Sequence, residues 1–427
     1  MDVVTHRQPL PRLLVIVSLG FAITVLVNTL EPAVLGHRVL ELVPQRANTA
    51  MGLTTFAGLL VATLTQPIVG YLSDRTHSRY GRRLPYFVVG TLLVLVALYA
   101  LATASAFAVV FAAVLLLQLG SNTVQGPWQA LIPDLVPQTQ RGQAAGLKAV
   151  LDIVGLMAGR QAAGQLIARA PEWGATATLA AVAVPAAALV VALLLTGLTL
   201  HDAPAATPEH NNGLRQALTG AFIVDWRRYP AFGWWFLHRL AFWGAFILLN
   251  TFLLFYLIDV VGLVQADAQR FLARLFTVLG GALVVITIPS GWVVDRLGRK
   301  PVVLASSVIA GTGSIVLLIA RSLPWLTVAA AIIGLGIGMF MTASWALVTD
   351  IVPRDQAARY LGIANMAAAG GSGIARLAGG ALIDPLNRLL PIRGGGYLVA
   401  FGLAAAAFWL SAVAAWRLPA ARSAQPD

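Results

Sequence analysis

The sequence predicts an all-α membrane protein with twelve transmembrane helices in two pseudo-symmetric halves of six. Three observations predict it. The first is composition: of 427 residues, 58% are hydrophobic and only 11% charged, and the mean hydropathy is +0.80. A soluble chain carries roughly 25% charged residues, and at about 20 residues per span plus short turns this length fits twelve helices. The second is a short signature that occurs twice, as Gly70-Tyr-Leu-Ser-Asp74-Arg75 with Gly81-Arg82-Arg83-Leu-Pro85, and as Gly291-Trp-Val-Val-Asp295-Arg296-Leu-Gly298-Arg299-Lys300-Pro301. Each copy closes one apolar segment and opens the next. Its acid and arginines are too costly for hydrocarbon, so each copy belongs in a tight turn at a membrane surface. The third is a wider repeat. Ala130-Leu-Ile-Pro-Asp134-Leu-Val-Pro137 aligns without gaps on Ala346-Leu-Val-Thr-Asp350-Ile-Val-Pro353 at an offset of 216, and the same offset carries Arg160 onto Arg376.

Apolar runs and their breakers set the order of elements. Helix 1 is expected over about 12–32. Arg7 and Arg12 precede its apolar run, about Leu13 to Leu30, which is too long for a signal-peptide core. Helix 2 is expected at about 47–72, with Pro67 near its end, then helix 3 at 83–103 and helix 4 at 106–132. Helices 5 and 6 follow at about 139–168 and 174–199. Residues 200–228 form the longest hydrophilic stretch, with Pro204, Pro208 and Asn211-Asn212-Gly213, and read as a linker. Helices 7 to 12 are expected at about 229–258, 267–293, 300–320, 325–350, 356–383 and 396–416, with Pro289 in helix 8 matching Pro67 in helix 2. The halves are therefore 1–199 and 229–427, joined by a cytoplasmic linker. Parallel halves of six helices are a known transporter layout. An even count puts both termini on one side, and the Lys/Arg excess makes that side the cytoplasm. The expected setting is the inner (plasma) membrane of a prokaryote, with the chain acting as a monomer.

The net charge of +12 would raise nucleic acid as a partner in a soluble protein. Here the basic residues follow the positive-inside pattern and do not interleave with aromatics on a hydrophilic segment, so no nucleic-acid partner is expected. The chain has no cysteine, which excludes disulfides and thiolate metal sites. Gly334-Leu-Gly-Ile-Gly338 and Gly370-Gly-Ser-Gly373 follow no strand and lead to no Walker lysine, so they read as close helix packing rather than phosphate loops. No metal-ligand cluster and no nucleophile–base pair stands out. An enzyme, a cofactor and a metal site are not expected.

Ionisable residues at helix depth cost roughly 2.5–3.5 kcal/mol each on insertion scales and are functional candidates by default. Helix 5 holds Lys148, Asp152 and Arg160. Lys148 and Asp152 are spaced i,i+4 and share a face with Gly155 and Gly159. Asp152 falls about 18–20 Å along the helix and is the one acid expected near mid-depth. It reads either as a proton or sodium site, with Lys148 or Arg160 taking it back when the ion leaves, or as half of a structural ion pair. Arg160 and Arg376 lie in the outer halves of helices 5 and 11. They either bind substrate oxygens or close an outer gate, or pair with outer acids such as Asp384. In helix 7, Arg239 either snorkels to the cytoplasm or faces the cavity beside His238, whose charge can change near neutral pH. Gln118, Asn122 and Gln125 form one polar face of helix 4. They read as interhelix hydrogen bonds or as a wet cavity for a polyol, which Asn28, Asn250, Trp345 and Asn365 would complete from helices 1, 7, 10 and 11.

At its duplicated loop motif the chain resembles the major facilitator superfamily, over essentially its whole length. The expanded first copy, Ser73-Asp-Arg-Thr-His-Ser-Arg-Tyr-Gly-Arg-Arg83, and the helix 4 ending Gly126-Pro-Trp-Gln-Ala-Leu-Ile-Pro-Asp134 are similar to the branch of glycoside–cation and sucrose–proton symporters. The Gly-Pro motif of drug–proton antiporters is missing from helix 5. The resemblance implies the major facilitator fold and alternating access. It also implies a conformational switch at Gly70, Asp74, Arg75, Gly81, Arg82, Arg83 and Asp134, mirrored by Gly291, Asp295, Arg296, Gly298, Arg299 and Asp350. The expected function is symport of a sugar, glycoside or other small polar solute with a proton or sodium ion. The alternatives are a proton-driven exporter of amphipathic compounds and a non-transporting pigment- or lipid-handling membrane protein.

Overall fold

The structure is a computed structural model describing residues 7–76, 78–199, 229–320, 322–351 and 357–418. The expected linker at 200–228 lies outside these residues. The side chains of Asp295, Trp345, Asp350 and Asn365 also lie outside what is described.

Among the described residues there is no strand, and twelve helices have 20 residues or more. They are α1 Leu10–Thr29, α2 Ala47–Asp74, α3 Leu84–Thr103, α4 Phe107–Gln129, α5 Arg141–Ile167, α6 Ala175–Thr199, α7 Pro230–Asp259, α8 Gln265–Leu297, α9 Arg299–Ile319, α10 Leu323–Ile351, α11 Ala357–Leu389 and α12 Gly395–Trp416. Eleven are long and apolar enough to cross a membrane. The other is α5. Its 27 residues extend about 40 Å at 1.5 Å per residue, so length is not what sets it apart. Arg141, Lys148, Asp152 and Arg160 are. Of the twelve expected spans, eleven are therefore apolar helices and α5 is the polar one.

The first helix departs from expectation. α1 stops at Thr29, a π-helical turn covers Leu30–Val34, and Glu31 leaves helical geometry at φ −105°, ψ 130°. Pro32 follows Glu31, and proline pushes the residue before it out of the α region. The chain then resumes a helix over Leu35–Leu42.

Contacts divide the chain into two compact units. Residues up to 199 group with Val264–Ala273, and residues from 229 to Leu263 group with Arg274 onward. In the first unit α1 packs on α5 and α6, and α3 packs on α4 and α6. In the second, α7 packs on α11 and α12, and α9 packs on α10 and α12. These four pairings are one set, moved on by six helices. The contacts repeat in atomic detail. Gly155 lets α5 approach α1 so closely that a Cβ there would lie 3.2 Å from the Phe21 carbonyl oxygen. Gly371, 216 residues later, lets α11 approach α7, where a Cβ would press on the Leu240 carbonyl and lie 3.1 Å from Gly244 N. Lipid tails do not drive helices together as water does, so such close backbone packing supplies much of the attraction. The turns of the duplicated signature also match, with Gly81 at φ +93° and Gly298 at φ +84°. Side chains rarely adopt positive φ, which explains a glycine at both turns.

Candidate functional site

In the first unit the close crossing of α1 and α5 brings charge and polarity together. Gly159 lies under α1, where its Cβ would fall 2.7 Å from the Val25 carbonyl oxygen, and Thr29 Oγ1 donates to Gly159 O at 3.3 Å. This contact sets Asp152 opposite Thr24. Lys148 Nζ donates to Asp152 Oδ2 at 2.6 Å, and Thr24 Oγ1 shares its proton between Gly20 O at 3.0 Å and Asp152 Oδ1 at 3.2 Å. The pair is only partly buried, with side-chain exposures of 37% for Lys148 and 32% for Asp152. Lys148 Nζ also stands 5.5 Å from the ring centre of Trp128 on α4. Trp128 is fixed in turn, since its Nε1 donates to Ile16 O at 2.9 Å and its ring lies on Gly20.

The polar face of α4 lies in the same unit. Asn122 Nδ2 donates to Gln118 O at 2.8 Å and to Gln118 Oε1 at 3.3 Å. Gln118 packs over Gly58 of α2. Asn28 Nδ2 donates to Thr24 O at 2.8 Å. These bonds stay within each helix and engage the amide nitrogens. Gln125 is half-buried.

Two residues that sequence reasoning passed over belong here. Thr24 is the first. Glu31 is the second, at 6% exposure on the break after α1, within Coulombic reach of Arg160 at 5% exposure. An acid before a proline inside an apolar run was the available signal for Glu31. Nothing local in the sequence marks Thr24, because its partner lies 128 residues away.

The second unit holds the remaining candidates. His238 is fully buried, with Nδ1 2.8 Å from Ser411 Oγ, which is itself 2.9 Å from Ser307 Oγ. Phe340 and Phe242 enclose the imidazole at 5.3 and 6.3 Å. This is the setting of a hydrogen-bonded core histidine. Arg239 lies over the rings of Trp235 and Phe340, at 5.5 and 5.6 Å. Arg376 is half-buried. Asn250 is buried and lines a cavity of about 30 Å³ with Phe246, Leu275 and Phe276, room for about one water. The four candidate coupling residues therefore split between units, Lys148 and Asp152 in the first, His238 and Arg239 in the second.

At the duplicated motif the first copy is a charge network. Arg82 Nη2 and Arg83 Nη2 both donate to Asp134 Oδ2, and Arg83 Nη2 lies 3.7 Å from Asp74 Oδ1. Arg83 is 1% exposed and also donates to Pro127 O at 3.2 Å. Arg75 stacks over Tyr71 at 3.9 Å. A Cβ at Gly70 would meet nothing within 4 Å, and the same holds at Gly291. Arg296 is exposed and Arg299 half-buried.

Duplicated six-helix units, charged turns between apolar helices and polar side chains on α1, α4 and α5 define a membrane transporter of the major facilitator type. Residues 41–384 match the family model described as MFS/sugar transport protein, and the chain belongs to that family. It is an integral membrane protein and not an enzyme. Among curated proteins it is similar to a minor myo-inositol transporter of Bacillus subtilis, 34% identical over 82 residues, 19% of each chain. It is also similar to a sucrose transport protein of Arabidopsis thaliana, 33% identical over 128 residues, 24% of this chain and 22% of that one. The matched stretches thus span about a fifth of the relatives' length. In fold it is similar to the nucleoside transporter NupG, with a TM-score of 0.73 at 13% identity, covering 96% of this chain and 99% of that one. A bacterial homolog of the lysosomal transporter Spinster gives a TM-score of 0.70 at 16% identity, covering 96% and 98%.

Proposed function

We propose that this protein is a secondary active transporter that moves a small polar solute, a sugar, glycoside or polyol, together with a proton or sodium ion by alternating access. The observation that carries the reading is the Lys148–Asp152–Thr24 cluster on α5 and α1. A carboxylate held by an amine and a hydroxyl can exchange the amine for a cation. The amide oxygens of Asn28 and Asn122 and the indole of Trp128 supply the neutral, hydrogen-bonding environment that a polyhydroxy solute requires. If ion and solute favour the same conformational transition, the ion gradient drives uptake.

The Asp74–Arg83–Asp134 network then serves as the conformational switch, and Asp295, Arg296, Arg299 and Asp350 as its counterpart in the second half. Arg160, Asn250, Trp345, Asn365 and Arg376 remain proposed solute contacts, with both termini cytoplasmic and a monomer in a prokaryotic plasma membrane. The sugar and inositol transport named for the partial relatives supports this solute class. Purified protein in liposomes, screened with neutral sugars, glycosides and polyols for solute-driven change in internal pH or sodium, tests the reading. An ion flux elicited by one of these solutes supports it. Flux only with amphipathic cations, in the opposite sense, would favour the exporter alternative.

A further inference from the structure

The first unit contains a second polar pocket, away from the Asp152 cluster. It has a volume of about 320 Å³, at the small end of the roughly 300–1,000 Å³ typical of small-molecule sites. The short helix Leu35–Leu42, the end of α5, the start of α6 and the first turn of α8 form its walls. His37, Arg38 and Glu41 line one side, and Thr178 and Gln265 line the others. These elements meet at the end of the unit opposite the Gly70–Pro85 turn, the outer end in the expected topology.

The wall is built rather than incidental. Arg38 is 4% exposed; its Nη1 pairs with Glu41 and its Nη2 donates to Ala104 O. Gln265 Nε2 donates to His37 Nδ1 at 2.8 Å. Two buried polar atoms of the lining, Arg38 Nε and Thr178 Oγ1, have no hydrogen-bond partner, and Thr178 is 1% exposed. Unused capacity of this kind is costly in a folded protein and calls for an explanation. Ile167 and Pro171 add an apolar side.

We infer that this pocket is an outer subsite for a neutral polyhydroxy solute of monosaccharide size, occupied before the solute reaches the Asp152 cluster. The wall carries no net charge to attract an ion. Arg38 and Glu41 neutralise each other. Burial lowers the pKa of His37, Glu41 opposing and Arg38 adding to the lowering, which favours the neutral imidazole. What remains is a set of mixed donors and acceptors, from Gln265, Glu41 and Thr178, beside an apolar patch. Hydroxyl groups, each donor and acceptor at once, match it, and the C–H face of a sugar or polyol ring fits the patch. Thr178 both lines the pocket and carries the unpartnered hydroxyl. The solute class rests on the transport reading above; occupancy of the pocket does not.

The test uses the absence of native cysteine. Ala175 lines the pocket and is exposed, so Ala175→Cys provides a unique maleimide target in the full-length protein. Glucose and myo-inositol at 1–100 mM should slow its labelling at least threefold and saturably. Thr178→Val should raise the half-protecting concentration at least fivefold, with Thr178→Ser restoring it; Gln265→Ala serves the same purpose if Thr178→Val does not fold. Asn122→Ala, which alters the α4 face, should leave protection in place. Absence of protection by either solute overturns the subsite. So does protection that survives Thr178→Val and Gln265→Ala but vanishes in Asn122→Ala, because the effect would then originate at the α4 face. Protection without ion-coupled flux would retain the subsite and reject the symport reading, so the two failures are distinguishable.

Discussion

Lys148 Nζ donates to Asp152 Oδ2 at 2.6 Å across one turn of α5, and the positions 216 residues later, Ala364 and Ala368, are both alanine. The two halves repeat the same helix pairings and the same glycine contact, Gly155 on α1 and Gly371 on α7. α11 therefore makes its crossing with α7 without either charge. A structural requirement of the fold would be expected in both copies. We propose that the charges on α5 serve something the first half does alone, which is the physical ground for assigning ion coupling to it.

Arg83 should be the most sensitive residue of the first signature. It is 1% exposed and faces two carboxylates. Asp74 and Asp134 are partly exposed and Arg82 still pairs with Asp134, so the loss is that of charge-assisted hydrogen bonds, about 1.5–3 kcal/mol each. Arg83→Ala should lower the thermal unfolding midpoint sharply, and Arg75→Ala, which loses mainly its stacking on Tyr71, should do so far less. Equal midpoints for the two variants in a fluorescence melt would show that the network contributes nothing to stability.

Gly159 and Gly70 should respond in opposite ways to alanine. At Gly159 a Cβ would lie 2.7 Å from the Val25 carbonyl oxygen, so α1 and α5 must separate, at a cost of about 1–3 kcal/mol. At Gly70 a Cβ meets nothing within 4 Å, and alanine in a helix gains about 0.5–1 kcal/mol over glycine. If Gly70→Ala nonetheless slows transport while raising the melting midpoint, its role lies in switching rather than in packing. Parallel melts and uptake rates for both variants check this.

The helix layout was legible because eleven of the twelve long helices are apolar runs ended by glycine, proline or charge. The repeat was legible because duplicated turns keep their Gly, Asp and Arg. What failed was tertiary or fell on a broken helix. Hydropathy carried helix 1 through to residue 32, whereas Glu31 and Pro32 end it at Thr29. Pairing with outer acids was one of the readings of Arg160, but that Glu31 is the acid within its Coulombic reach could not be read from spacing, because no periodicity links residues so far apart. Asp134, Arg82 and Arg83 were singled out together by resemblance, but that both arginines share one carboxylate oxygen depends on how α3 meets the end of α4. The polar face of α4 was legible from spacing, but that Asn122 bonds back to Gln118 depends on side-chain conformation, which spacing does not give.

Asn122→Ala and Gln118→Ala should each weaken binding of the transported solute. Each removes an amide from the α4 face, and a lost hydrogen bond costs about 0.5–1.5 kcal/mol, roughly two- to twelve-fold in Kd. Because Asn122 Nδ2 donates to Gln118 Oε1 at 3.3 Å, the two losses should be less than additive in the double variant. Calorimetric titration of the solute into the single and double variants measures this. Affinity unchanged in all three would remove the α4 face from the site.

If Asp152 couples the ion gradient to solute movement, Asp152→Asn should separate solute exchange from accumulation. The amide mimics the protonated carboxyl and no longer exchanges Lys148 for a cation. Lys148 is 37% exposed and its Nζ stands 5.5 Å from the Trp128 ring centre, so the amine is not sealed in an apolar interior and the variant should fold. Solute exchange across liposomes with solute on both sides should persist near the wild-type rate. Accumulation against a solute gradient, driven by an imposed proton or sodium gradient, should fall to background. Accumulation at the wild-type level in this variant would contradict the account and remove Asp152 from the mechanism.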